Sequence, residues 1–256
     1  MDVHLKNEEE QEAMRAAGKL AAQTLEYIEP LMVAGVTTYA IDEYVRIFTE
    51  ENGAECATMN YGNPPFPANC CISVNEVACH GIGDNYKLQD GDIVNVDVTP
   101  KLDGWHGDTS KMFLIGDVSD KDRQLCEIAH GALWAGIEAV EIGRDVQCIG
   151  HAIALFMLDK PASIVKEFCG HGTGKIFHEP PQILHYSCRA RSYTIEPGMT
   201  FTIEPIINAG SPFCMLDPDD KWTVRTFDRS KSAQYEHTLL VTEDAIEILT
   251  LREEEK

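Results

Sequence analysis

Residues 91–113 read Gly-Asp-Ile-Val-Asn-Val-Asp-Val-Thr-Pro-Lys-Leu-Asp-Gly-Trp-His-Gly-Asp-Thr-Ser-Lys-Met-Phe, and this stretch decides how the chain is built. Val94, Val96 and Val98 alternate with Asn95 and Asp97, so a strand over residues 93–98 puts valines on one face and polar side chains on the other. Asp103-Gly104 is a hairpin turn signal. A regular hairpin folded between Leu102 and Asp103 places Asp97 opposite Asp108. Carboxylates facing each other at about 5 Å repel, and such a pair persists when it shares a proton or binds a cation. The competing arrangement is a bulged or slipped loop at Pro100 that keeps the two apart.

Outward from this hairpin the chain repeats itself. Gly91 with Asp97 matches Gly198 with Glu204 at an offset of 107 residues, a glycine preceding a strand whose seventh residue is acidic. Gly35, Ile41, Val45 and Phe48 match Gly143, Ile149, Ile153 and Phe156 at an offset of 108. Met14, Ala17, Ala21, Leu25 and Ile28 recur at helical spacings of three and four, stopped by Pro30, and Leu125, Ile128, Ala132, Ala135 and Ala139 repeat that long-helix pattern up to Gly143. Thr38 is the expected N-cap of the second helix, with Asp42 and Glu43 in its first turn. Further strands are expected over residues 112–115, 200–207 and 237–242. Two related halves, each two helices followed by strands, therefore pack as one α+β unit about a pseudo-twofold axis. No linker separates them, and the proline-rich residues 63–67 read as a structured loop.

Composition narrows the function. The chain has 256 residues, 42 acidic against 21 basic, and a formal charge of −21. Such a surface repels phosphate backbones and anionic lipid, which argues against binding nucleic acid or membrane. The start lacks a signal or transit pattern, and no apolar run approaches the roughly 20 residues of a membrane helix. The nine cysteines are odd in number and contain no C-x-x-C, which points to reduced thiols in a cytoplasmic protein.

Other acidic and imidazole groups join the hairpin pair. Glu204 lies mid-run in Thr-Phe-Thr-Ile-Glu-Pro, facing away from Phe201 and Ile203, and the duplication relates it to Asp97. Glu236 stands at the lip of the last strand. His171 and His178 sit in a loop with Gly170, Gly172 and Gly174, whose freedom suits a turn wrapped around a ligand. His80 precedes Gly81 and is a candidate cleft residue, whereas His4, His106, His130, His151 and His185 read as structural. Rival motifs fail: residues 170–175 have the wrong spacing for a phosphate loop, and neither H-E-x-x-H nor G-x-S-x-G occurs. A thiol nucleophile at Cys71 or Cys79 has no supporting spacing. A dinuclear hydrolase is the chemistry left standing.

The motifs Asn75-Glu-Val-Ala-Cys-His-Gly, Asp90-Gly-Asp-Ile-Val-Asn-Val-Asp-Val-Thr, His106-Gly-Asp-Thr-Ser-Lys-Met-Phe, Pro197-Gly-Met-Thr-Phe-Thr-Ile-Glu-Pro and Ser232-Ala-Gln-Tyr-Glu-His-Thr, with the loop over 170–180, closely resemble those of the methionine aminopeptidases, in particular the short bacterial type I form. The resemblance runs almost end to end. It implies the pita-bread fold, a single catalytic domain over 1–256, and removal of the initiator methionine from nascent proteins and peptides with a small second residue. It implies Asp97, Asp108, His171, Glu204 and Glu236 as ligands of two divalent ions (Mn²⁺, Fe²⁺, Co²⁺ or Zn²⁺), Asp108 and Glu236 bridging, around a water that becomes the nucleophile. Glu204 is implied as proton shuttle, His178 as the group polarising the carbonyl, and His80 as contact to the leaving nitrogen. Cys71, Tyr61, Phe66, Phe177 and Trp222 are implied as the methionine slot. The stretch 58–71 departs from the family pattern: it is longer by about a residue, richer in proline, and lacks the cysteine expected near Thr58. No zinc-binding extension or long second-half insertion is present, unlike the eukaryotic type I and type II forms. A monomer acting on peptide or nascent-chain N-termini, with a transient ribosome contact, is expected. The alternatives are a pita-bread peptidase of Xaa-Pro bonds and a relative that binds without catalysing.

Overall fold

A computed structural model describes residues 2–189 and 192–256. Four helices carry the apolar stripes: α1 (Glu8–Ile28), α2 (Thr38–Glu51), α3 (Asp120–Glu138) and α4 (Gln147–Phe156). Asn7 caps α1 with a reciprocal capping box to Glu10, satisfying donors that the first turn leaves open. Thr37, one residue before the expected position, caps α2 by accepting from the Ala40 amide. Asp42 does not serve the first turn of α2. It is buried and accepts from the amides of Asn69 and Cys70 and from the Asn69 side chain, which fastens the helix to the loop ahead of Cys71.

Each half has its own core. In the first, Leu25, Ile28, Ile41 and Val45 pack on Val94, Val96, Val98 and Phe113. In the second, Leu133, Ile149 and Ile153 pack on Phe201, Ile203, Leu239 and Val241. Strands Cys71–Val74, Ile93–Val98 and Thr109–Leu114 form the first-half sheet in that order. Gly170–Gly172, Thr200–Ile203 and His237–Val241 lie in the larger second-half sheet, flanked by Glu179–Ile183 and Ile246–Ile248.

The duplication extends to individual hydrogen bonds. The Gly35 amide donates to Leu88 O and the Gly143 amide to Ile195 O; the Leu88 amide donates to Val36 O and the Ile195 amide to Arg144 O. Each bond in the second half lies 107 or 108 residues after its counterpart. Gly35, Gly91, Gly143 and Gly198 have φ of 92°, 92°, 84° and 89°, a region that side-chain-bearing residues avoid. The two glycine pairs visible in the sequence therefore mark the same backbone turns.

The central hairpin corrects one expectation. Its turn lies between Asp103 and Gly104, both at positive φ (50° and 85°), as a type I′ turn requires. Leu102 pairs with Trp105 and Lys101 with His106, and the same register continues as Val98 with Thr109 and Asp97 with Ser110. Moving the turn centre by one residue shifts every cross-strand partner by two. Asp97 thus faces Ser110 rather than Asp108, and Asp108 stands diagonal to it. The run over 200–207 also breaks: Thr200–Ile203 and Ile206–Asn208 belong to different sheets. Pro205 cannot donate to a ladder, and Glu204 sits in the break.

Candidate metal centre

The break at Glu204, the strand end at Asp97 and the gap before His237 converge on one cavity of about 250 Å³. Asp97, Asp108, His171, Glu204 and Glu236 line it, together with His80, His178, Cys71, Tyr61, Phe66, Phe177 and Trp222. One ligand atom each from Asp108, His171 and Glu236 lies within 4.8 Å of the others. His171 Nε2 is 3.5 Å from both Asp108 Oδ2 and Glu204 Oε1.

Neighbouring side chains orient these groups. Thr99, the register partner that replaces Asp97, donates to Asp108 Oδ1 at 2.8 Å. Thr202 donates to Glu204 Oε1 at 2.7 Å, and Gln234 Nε2 donates to Glu204 Oε2 at 3.3 Å. His171 Nδ1 is 3.0 Å from Gly172 O; a proton there leaves Nε2 as the free lone pair. The halves are cross-tied at the acids themselves: Thr109 donates to Glu236 O and Thr238 to Asp108 O, both at 2.7 Å.

Burial pushes the pKa of all four carboxyls up. For Asp97 the charge of Asp108 adds to burial, and for Glu204 and Glu236 the neighbouring acids do the same. For Asp108, raised to about 7, burial outweighs the Thr99 hydrogen bond. Burial lowers His171 to about 4, so its imidazole is neutral near pH 7. Among the described residues no lysine or arginine ion-pairs with these acids, and their only such contacts are to His171. Four clustered carboxyls and a neutral imidazole lack the positive charge they need to ionise together. The donor set fits hard or borderline divalent cations, which supply that charge.

An apolar wall adjoins the acids. Phe66 and Trp222 meet edge-on at 5.3 Å, and Phe66, Ala68 and Cys71 form a small cluster with Ile82 and Trp222. Phe177 stacks on His106 at 5.3 Å. His106, read as structural, is 2.8 Å from Gly174 O through Nδ1 and pins the glycine loop. His185 accepts from the Glu204 amide at 3.1 Å, behind the site. His80 has φ of 55°, a strained value for a residue with a side chain, and meets Phe168 and Trp222 edge-on. Phe168 was not singled out from the sequence. Its position two residues before Gly170 was the available signal. Thr202, two residues before Glu204 on the same face of the run, could have been read from strand alternation; Thr99 and Gln234 gave no signal, since their roles depend on register.

The model of metallopeptidase family M24 matches residues 12–243. This chain belongs to metallopeptidase family M24. It is 47% identical to the methionine aminopeptidase of Escherichia coli (strain K12), covering 100% of this chain and 96% of that protein. It is 44% identical to methionine aminopeptidase A of Synechocystis sp., covering 98% of each. The crystal structure of methionine aminopeptidase from Rickettsia prowazekii superposes with a TM-score of 0.94 at 43% identity, covering 98% of this chain and 100% of that one. Prolidase from Pyrococcus furiosus shares the fold at a TM-score of 0.75 and 20% identity. The α+β architecture is thus the pita-bread fold of M24, and membership makes the chain a hydrolase dependent on divalent metal.

Proposed function

We propose that this chain removes the initiator methionine from nascent proteins and peptides whose second residue is small, as a single catalytic domain spanning residues 1–256. The observation that supports this most strongly is the cavity in which acids from both halves adjoin an apolar aromatic wall. Asp97, Asp108, His171, Glu204 and Glu236 would hold two divalent ions; Mn²⁺, Fe²⁺, Co²⁺ and Zn²⁺ all suit such donors. When bound, the ions supply Lewis acidity, which brings the pKa of a coordinated water to about 7.

The remaining work falls to side chains. Glu204, held by Thr202 and Gln234, takes a proton from the attacking water and delivers it to the leaving amine. His178 polarises the scissile carbonyl and hydrogen-bonds the oxygen as charge develops on it. His80 contacts the leaving amide nitrogen. Cys71, Tyr61, Phe66, Phe177 and Trp222 receive the methionine side chain. The net charge of −21 supports the expectation of no nucleic-acid binding, among the described residues no helix is long and apolar enough to cross a membrane, and we infer a cytoplasmic monomer. Its contact with the ribosome is transient.

A Met-Ala-Ser peptide is expected to be cut and an Arg-Pro-Pro peptide left intact; the reverse would move the chain to the Xaa-Pro peptidases that share its fold. Asp108→Ala and Glu236→Ala should each abolish turnover with the far-UV circular dichroism unchanged. Turnover surviving in metal-stripped protein would dismiss the proposal, and metal analysis of the active protein counts the ions.

A further inference from the structure

Residues 58–66 form a loop closed on itself. The Tyr61 amide donates to Thr58 O at 3.0 Å, the Phe66 amide to Tyr61 O at 2.8 Å, and the Asn60 amide to Phe66 O at 2.9 Å. Trp222 Nε1 donates to Pro64 O at 3.0 Å. At Gly62 (φ 76°) a Cβ would lie 2.6 Å from the Trp222 ring, so only glycine lets the loop come this close. Tyr61 is therefore held in place rather than draped over the cavity mouth.

What the loop delivers is a hydroxyl. Tyr61 Oη lies 2.7 Å from His178 Nδ1, with the Tyr61 ring 4.9 Å from Phe177 and 5.1 Å from His178. An apolar wall needs no such bond. A neutral imidazole has one N–H and one lone pair, so Tyr61 and His178 can pair in two ways. If Nδ1 donates to the phenol, Nε2 offers only a lone pair, which a carbonyl oxygen cannot use. If the phenol donates to Nδ1, the proton stays on Nε2, where it can be offered to a carbonyl oxygen. Burial keeps the phenol protonated and able to donate; a role toward a carbonyl oxygen therefore requires the second pairing.

We propose that Tyr61 is a positioning residue: its hydroxyl donates to His178 Nδ1 and fixes that ring as an Nε2–H donor toward the substrate's carbonyl oxygen. The assignment rests on the reading of His178 as the group that polarises that carbonyl. It changes Tyr61 from slot lining alone into a residue acting through His178.

Tyr61→Phe keeps the ring against Phe177 and removes only the hydroxyl. It is expected to lower kcat for Met-Ala-Ser by about 3- to 10-fold, the worth of one neutral hydrogen bond, and to leave KM within about twofold. On a His178→Ala background the same change should have no further effect. In histidine ¹⁵N NMR of the metal-free protein, assigned with His178→Ala, the parent should carry the proton on Nε2. Its Nδ1 resonance should move in Tyr61→Phe toward that of an unbonded imidazole nitrogen. An unchanged kcat, a proton found on Nδ1, or an unmoved resonance would each overturn the proposal. If His178→Ala keeps full turnover, the role given to His178 fails instead, and the NMR result still decides the hydrogen bond.

Discussion

Asp97 belongs to a group that is better for binding cations than for folding without them. The four carboxyls, Asp108 and Glu236 buried and Asp97 and Glu204 partly so, repel one another when ionised, and their folded-state pKa values lie above the unfolded ones of about 3.9 and 4.3. A raised carboxyl pKa favours the folded state fully below the unfolded value, and that contribution is lost as pH rises through the folded value. Metal-free protein should therefore lose stability as pH climbs from about 4 toward 8, and divalent metal should restore it at the upper end. Asp97→Asn removes one repelling charge. Its metal-free form is expected to melt no lower than the parent at pH 8 while binding metal more weakly. Thermal melts across pH, with and without Mn²⁺, read both effects; a variant that melts well below the parent when metal-free would show that Asp97 serves the fold. Thr99→Val should cut metal affinity by about 10- to 100-fold, since it removes the hydroxyl that orients Asp108. Calorimetric titration measures that loss, and unchanged affinity would remove Thr99 from the site.

Among the elements, the repeated turns at Gly35 and Gly143 provide a paired test. Both have positive φ (92° and 84°), and a Cβ on either would meet nothing within 4 Å. Alanine there costs backbone strain alone, about 1–2 kcal/mol, and by symmetry the two costs should agree. Urea unfolding of Gly35→Ala and Gly143→Ala measures them, and a large difference would mean that the turns are not equivalent. These turns were legible because glycine is chosen for backbone reasons and leaves a mark in the sequence. The helices were legible for a similar reason: Leu25 and Ile28 lie on a buried stripe whose period identifies the element. Register was legible too, one position later than expected: Asp103 and Gly104 as the two central residues of a type I′ turn centre the hairpin between them, not between Leu102 and Asp103, and that one position decides whether Asp97 meets Asp108 or Ser110. The break at Glu204 could have been read from Pro205, since proline cannot continue a ladder. The duplication related Glu204 to Asp97, but the convergence of the whole acid set was legible only through the family resemblance, because contacts between residues as distant as 97 and 236 have no local signature.

At the scale of the molecule the two halves are joined behind the acids by the chain's last turn. Arg252 is buried at 1% exposure. Its Nη1 donates to Thr109 Oγ1 at 3.3 Å and its Nη2 to Glu255 Oε1 at 2.6 Å. Glu255 Oε1 also lies 3.2 Å from His237 Nε2, and His237 Nδ1 lies 2.9 Å from Thr250 Oγ1. Thr109 follows Asp108 and His237 follows Glu236, so the turn braces the residue after each of these acids, one from each half. Burial alone would raise the Glu255 carboxyl, but the His130 ring at 3.8 Å, the hydrogen bond with His237 and the charge of Arg252 outweigh it and hold the group well below the usual carboxylate range. A depressed carboxyl pKa gives stability that is present above the unfolded value of about 4.3 and is lost as pH falls through the folded value. This slope is opposite in sign to that of the four cavity acids and lies in the next pH window: on acidification metal-free protein gains from the cavity acids down to about 4 and loses the Glu255 share below it. Glu255→Gln should remove the seam's share: at pH 7 the variant is less stable than the parent, and the gap closes as pH drops below about 4. Arg252→Met, which leaves Glu255 buried without its cation, should cost more, about 3 kcal/mol at pH 7. Urea midpoints of metal-free parent and both variants at pH 7 and below pH 4 test this. A gap for Glu255→Gln that stays constant with pH would mean that the last turn braces the halves by packing, without its charge.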